Sequence, residues 1–488
     1  MITPPDINWV AILPEVILGV GAALILLVEV QWKPAPSRLG WLAVGLLVAA
    51  VFATGWQRAW LLGLSGSELS RALPFGGMVV VDPHAILARL VLLTVALLGM
   101  GAAWHLLEAL GRRAAEALAL FLLSTAGFSL MAATPQLVMM FLGLEIGSIS
   151  LYLLAGFNRR DARSEEAAIK YFLLGSFASA IFIYGVALLF AGTGSLNLFD
   201  QRIFLSRVIL LQPAVLLIGL GLVVVGMAFK VTAAPFHGWA PDVYEGAPAG
   251  AVGFMAAAAK VGGFAALTRI LVTAFADYAE VWAVVVGAIA ALSMLTGSAL
   301  AIVQDDFRRL LAYSGVAHAG FILTGLVAGR EGATSVWFYL AVYALQLVGA
   351  FAVVAAVSGP LSSGSPLTAY QGLGRRQPLL AGGLTVLLLG MAGIPLTSGF
   401  IAKFGVFQQA WRVGFGWLVI VAVLASVIAF FLYLRVIIAM YMGEEAGEVA
   451  SIPTAPIRGV VGLAVLATVV FGILPAPLLS FAADALPF

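Results

Sequence analysis

The chain has 488 residues, 62% hydrophobic and 10% charged, with a formal net charge of +2 and no cysteine. Soluble domains carry about 45–50% apolar and roughly 25% charged residues, so a bilayer must be the solvent for most of these side chains. The charge balance points away from nucleic acid, and the missing cysteines exclude disulfides, thiolate zinc sites and iron–sulfur ligation within the chain.

A spanning helix needs about 20 mostly apolar residues. Stretches that meet this fall at 8–30, 38–56, 84–107, 115–133, 136–157, 168–192, 213–234, 250–275, 280–303, 309–329, 334–358, 380–410, 415–441 and 457–478. They predict an all-α, polytopic membrane helix bundle of about 14 transmembrane helices. The first stretch lacks a basic flank and a small-residue cleavage pattern, and reads as a retained helix rather than a leader. The connection from Gln57 to Pro83 has room for a small hairpin at Met78–Val81. The segment 359–379, with Pro, Ser and Gly followed by Arg375 and Arg376, is the best candidate linker.

Loop charge sets orientation. With the N-terminus outside, inner loops hold Lys33, Arg38, Arg112, Arg113, Arg159, Arg160, Arg163, Arg308, Arg309, Arg375, Arg376 and Arg458. Outer loops hold Arg58, Arg71, Arg202, Arg207, Arg330 and Arg412. Twelve against six favours the N-terminus out, and an even number of crossings returns the C-terminus to the same side.

Two segments are interrupted. The seventh, VLLIGLGLVVVGMAFKVTAAPFHGWAP, carries Pro235 and Pro241 after Lys230, and the twelfth, LLLGMAGIPLTSGFIAKFGVF, carries Gly393 and Pro395 in its middle. Broken helices in corresponding positions point to a transport site built from inverted repeats. The expected organisation is an N-terminal three-helix segment (1–110), a first repeat of segments four to eight (115–275), a second of segments nine to thirteen (280–441) and a C-terminal helix (457–488). Prolines that merely kink membrane helices are the plainer explanation of the same breaks.

Lysine carries the chemistry. Of 25 basic residues only five are lysines, and Lys170, Lys230, Lys260 and Lys403 lie within the apolar segments, the exception being Lys33. Arginine keeps its proton in any protein environment, whereas a buried lysine can lose it. Each lysine costs roughly 2.5–3.5 kcal/mol at a helix centre, or about 10–14 kcal/mol for four, so chance placement is hard to credit. For Lys170, near the start of its segment, snorkelling to the headgroups is the alternative. Glu145, in MMFLGLEIGSISLYLL, is the one carboxylate deep within segments four to thirteen, and is expected to pair with Lys230 as a titrating unit or as a static ion pair. His318, in LAYSGVAHAGFIL, suits a proton relay and equally a structural hydrogen bond. Arg435 suits a fixed charge. His237, in PFHGW, has either a packing or a proton-entry role. There is no HExxH, P-loop or GxSxG, and Gly19 and Gly21 lack the rest of a dinucleotide fingerprint.

The stretch GMAFKVTAAPFHGWAPDVYEGAP (226–248) resembles the signature of the antiporter-like membrane subunits of respiratory complex I, and PDVYEGAP resembles its subunit N branch in bacterial NADH–quinone oxidoreductase. FLGLEIGSISLYLLAGF (141–157), DDFRRLLAYSGVAHAGF (305–321) and GIPLTSGFIAKF (393–404) are similar to the same family. The resemblance implies two inverted five-helix repeats with segments seven and twelve broken, each part of a half-channel. It implies proton translocation through Glu145, Lys230, Lys260 and Lys403, with Lys170 matching a further family lysine. It also implies that redox chemistry lies elsewhere: no cofactor in this chain, with FMN, iron–sulfur clusters and the NADH and quinone sites in partner subunits. The antiporter-like subunit M and the small subunit K are the implied neighbours, and a bacterial inner (plasma) membrane the implied location. Gly238 and Gly315 depart from the residues usual there. The competing readings are an Mrp-type cation/proton antiporter subunit without redox coupling, and a membrane scaffold.

Overall fold

The computed structural model describes residues 8–64, 73–208, 213–444 and 454–486. Arg71 and the C-terminal Phe488 lie outside them. The described chain is a bundle of helices with no strand, joined by short connections. In chain order these are α1 (Leu13–Trp32), α2 (Pro36–Leu62), α3 (Pro83–Ala102), α4 (Ala114–Ala132), α5 (Leu137–Ala155), α6 (Ala162–Thr193), α7 (Ala214–Lys230), α8 (Trp239–Gly246) and α9 (Ala249–Arg269). They continue with α10 (Ala279–Ile302), α11 (Phe307–Leu326), α12 (Gly329–Ser358), α13 (Pro378–Ala392), α14 (Ser398–Arg412), α15 (Gly416–Met442) and α16 (Ala455–Ile473). Among the described residues, eleven helices are long and apolar enough to cross a membrane, and α7 and α13 are shorter apolar helices. With α11 they account for every predicted segment. This is an integral membrane protein.

Local sequence explains where the helices start and stop. Asp82 caps α3 by accepting from the Ala85 amide at 2.8 Å, with Pro83 in the first turn. Asp306 does the same for the Arg308 and Arg309 amides of α11. The left-handed Gly194 ends α6. Lipid offers no hydrophobic force between helices, so close approach depends on small residues. A Cβ at Gly143 would stand 2.7 Å from the Gly127 carbonyl, which joins α5 to α4. One at Gly320 would stand 2.6 Å from the Ala290 carbonyl, which joins α11 to α10. The core centres on α9, in which every residue is buried, and on α12 beside it.

The two halves repeat a detail. Before α5, Gln136 forms an isolated antiparallel bridge with Asn197, beyond α6; before α11, Asp306 forms one with Pro366, beyond α12. In the first, Leu137 N–H donates to the Leu196 carbonyl (3.0 Å) and Leu198 N–H to that of Pro135 (2.9 Å). In the second, Phe307 N–H donates to the Ser365 carbonyl (2.7 Å) and Leu367 N–H to that of Asp305 (2.8 Å). Following the helices through the bundle, the two bridges lie at opposite ends, as inversion requires.

Four expectations change. Met78–Val81 is no hairpin: a short turn at Pro74–Gly77 leads into chain whose Val80 amide bonds the Ala133 carbonyl at 2.8 Å, so its backbone pairs with the end of α4. Segment three ends at Ala102 and a separate helix, Trp104–Leu110, follows. The linker at 359–379 is folded, with short helices Leu367–Tyr370 and Leu373–Arg376 and the Gly364 amide bonded to the Glu245 carbonyl at 2.8 Å. Pro241 breaks nothing, because it falls in the first turn of α8, where its missing N–H costs no helical bond.

Candidate functional site

The seventh segment stops at Lys230 and resumes at Trp239, and the twelfth stops at Ala392 and resumes at Ser398. Left-handed backbone marks each break: Thr232 (φ 63°) in the first, Gly393 (φ 84°) and Leu396 (φ 72°) in the second. An interrupted helix leaves backbone carbonyls without intrahelical donors, and in a membrane these need partners. Here buried lysines supply them. Lys260, on α9, donates to the Val231 carbonyl at 3.0 Å and to the Thr232 hydroxyl. Lys403, on α14, donates to the Ala392 carbonyl at 2.9 Å. Lys230, Lys260 and Lys403 are 2%, 1% and 5% exposed, so none of the three snorkels to the surface.

All three lysines are enclosed within the bundle. Lys230 donates to the Ser148 hydroxyl on α5 at 2.7 Å. A side-chain carbon at Gly315, on α11, would stand 3.7 Å from Lys260 Nζ, so the absence of a side chain there leaves room beside that ammonium. One turn on, the buried His318 has both ring nitrogens engaged, Nδ1 with the Tyr339 hydroxyl (2.9 Å) and Nε2 with that of Tyr433 (3.1 Å). Its ring stacks on Tyr343 at 4.2 Å. The Tyr433 hydroxyl also bonds Ser314. Lys403 lies over the Phe321 ring, 4.6 Å from its centroid, and that ring meets His318 edge-on at 5.9 Å.

Among the described residues, Glu145 and Lys230 make no direct hydrogen bond or ion pair. Glu145 is half-buried at the junction of α5 and α6 and accepts from Ser179. Lys230 turns to Ser148, one helical turn further along α5. Lys170 takes the surface position that its place near the start of its segment allowed. It is 39% exposed and bridges Glu166 and Asp242, each at 2.6 Å, and Asp242 in turn meets Arg309 at 2.8 Å. It belongs to an ion network with α8 and, unlike Lys230, Lys260 and Lys403, is not buried. Arg435 donates to the Ile302 carbonyl and to Asp305, each at 2.8 Å, and so holds the end of α10 as a fixed charge. His237 sits half-buried in the first break, edge-on to Tyr313.

Three arginines are fully buried: Arg89, Arg269 and Arg308, each 0% exposed, the last expected in an inner loop. Arg269 forms a bidentate pair with Asp82 at 2.7 and 2.8 Å. Burial pushes the Asp82 carboxyl up, but the guanidinium beside it more than offsets this and leaves it below the usual carboxylate range. Arg89 joins Glu15 and Gln57, each at 2.8 Å. Arg308 donates to the Glu245, Ala247 and Ser362 carbonyls, fastening the end of α8 to the start of α11. Asp82 preceding a helix-starting proline was the one local signal for any of these.

Two broken membrane helices whose carbonyls are met by buried ammonium groups are the architecture of an antiporter-like membrane subunit. Residues 134–429 match the family model described as NADH:quinone oxidoreductase/Mrp antiporter, transmembrane, and the chain belongs to that family. It is 41% identical to NADH-quinone oxidoreductase subunit N 1 of Solibacter usitatus, an alignment covering 96% of this chain and 95% of that one. Among solved structures it is similar to a chain of respiratory complex I from Thermus thermophilus, with a TM-score of 0.80, 32% identity, and 96% and 99% of the two chains covered. A chain of the Mrp complex from Dietzia shares the fold, with a TM-score of 0.74 at 22% identity over 97% of each chain.

Proposed function

We propose that this chain is the proton-translocating subunit N of a bacterial NADH–quinone oxidoreductase. The observation that carries the reading is the burial of Lys230, Lys260, His318 and Lys403, with Lys260 and Lys403 anchored one at each helix break. Electron transfer from NADH to quinone, through FMN and iron–sulfur clusters in partner subunits, changes the charge state of a neighbouring membrane subunit. That change reaches Glu145 and Lys230, and a proton passes along Lys260 and His318 toward Lys403. The boundaries 1–110, 115–275, 280–441 and 457–488 divide the chain into flanking helices and two inverted half-channels, and the matched bridges at Gln136 and Asp306 support this division. The neighbours are the antiporter-like subunit M and the small subunit K, in the inner membrane with the N-terminus outside.

Proton pumping per NADH oxidised in membrane vesicles tests the reading. Lys230→Ala, Lys260→Ala and Lys403→Ala should each depress it with the complex assembled, and normal pumping in all three would refute it. Purification in mild detergent should yield flavin and iron–sulfur subunits with this chain. Their absence would favour an Mrp-type antiporter.

A further inference from the structure

We infer that three aromatic rings, Phe128, Tyr152 and Tyr171, form a cage that holds the protonated Lys230 where no carboxylate touches it, positioning its charge for transfer under the more distant field of Glu145. The inference rests on Lys230 being a proton carrier. Its ammonium lies 5.2 Å from the ring centroid of Phe128, 5.7 Å from Tyr152 and 5.4 Å from Tyr171, rings contributed by α4, α5 and α6. Ring faces attract cations within about 6 Å, most strongly where water is excluded. All three rings are buried. Among the described residues no carboxylate comes within ion-pair distance of Lys230, and its hydrogen bond goes to the neutral Ser148. A carboxylate in contact would fix a buried ammonium by strong Coulomb attraction; ring quadrupoles hold it with a weaker, neutral field.

The rings have built seats. A Cβ at Gly147 on α5 would stand 2.7 Å from the Phe128 ring, and one at Gly262 on α9 would stand 2.9 Å from it. Gly175 on α6 leaves the corresponding space for the Tyr152 hydroxyl. Tyr171 is stacked on Trp239 at 4.3 Å and edge-on to Tyr152 at 4.6 Å, and its buried hydroxyl has no hydrogen-bond partner. A buried tyrosine hydroxyl ordinarily finds one, so the ring, and not the hydroxyl, is what this position uses.

Fluorination of Phe128 weakens the negative face of the ring while nearly preserving its shape. In the assembled complex, 4-fluoro-, 3,5-difluoro- and 3,4,5-trifluorophenylalanine at position 128 should lower protons pumped per NADH stepwise, by about tenfold across the series. In parallel, Tyr171→Phe should pump normally and Tyr171→Leu should not. A flat fluorine series, or equal pumping by Tyr171→Phe and Tyr171→Leu, would show that the rings only fill space. That result would overturn the cage but leave Lys230 as carrier, whereas normal pumping by Lys230→Ala would remove the carrier itself.

Discussion

The Lys230 ammonium donates to the Ser148 hydroxyl at 2.7 Å, one helical turn past Glu145 on the same helix. The Ser148 hydroxyl in turn donates to the Leu144 carbonyl at 2.5 Å, and Glu145 is held from the other side by Ser179. Carboxylate and ammonium therefore sense each other through space rather than by contact. A contact pair in a low-dielectric interior costs several kcal/mol to break. Separated charges interact less strongly, so a change at Glu145 can alter the affinity of Lys230 for its proton without first breaking a bond.

Replacing Glu145 by Gln removes that field and keeps the Ser179 hydrogen bond. Pumping should fall on the order of tenfold, the effect of losing one charge interaction of a few kcal/mol or less, with the complex still assembled. The measurement is dye-monitored proton uptake in inverted vesicles. Wild-type uptake would reduce Glu145 to a structural role.

Lys170 and Arg435 should behave as fixed charges. Lys170→Arg keeps a cation for Glu166 and Asp242, and pumping should be unchanged. Arg435→Gln removes the donor to the Ile302 carbonyl and to exposed Asp305. It should cost about 1 kcal/mol or less of stability, seen as a slightly lower unfolding temperature in detergent, with pumping per complex intact. A pumping defect in Lys170→Arg would place Lys170 among the proton carriers after all.

The buried Asp82–Arg269 pair makes a stability test. Asp82→Asn leaves a fully buried guanidinium without its counter-charge, which costs about 3–5 kcal/mol, so little assembled protein should accumulate at growth temperature. Replacing both residues together should recover part of the loss. Because its partner holds the Asp82 carboxyl below its usual range, this contribution is present above the unfolded carboxylate's value and is lost as pH falls through the folded one. Normal accumulation of Asp82→Asn would mean that the pair is dispensable.

The crossings, the two breaks and the buried lysines were legible because lipid imposes a simple rule on sequence. Long apolar runs must be helices, and an ionisable group within one stands out against a uniform background. The hydrogen-bond partners were not legible. Ser148, Ser179, Tyr339 and Tyr433 look ordinary in sequence and acquire meaning only when distant helices bring them to Lys230, Glu145 and His318. The partners of Lys170 were not legible either, because hydropathy records its neighbours along the chain, while its ion partner Asp242 comes from α8. Arg269 and Asp82 are 187 positions apart, and nothing local announces such a pair.

Orientation gives a further test. A reporter active only in the cytoplasm, fused after Phe488, should be silent if both termini face outward as the loop charges require. Strong activity would reverse the bundle in the membrane.

The most direct measurement is proton pumping by Lys230→Arg, compared with Lys230→Ala at matched expression. Both arginine and lysine place a cation before Ser148 and the three rings, but only lysine gives up its proton at reachable cost. If Lys230 cycles between charged and neutral forms, Lys230→Arg should be nearly as inactive as Lys230→Ala while still inserted and assembled. Wild-type proton uptake in Lys230→Arg vesicles would contradict this and leave Lys230 a static charge.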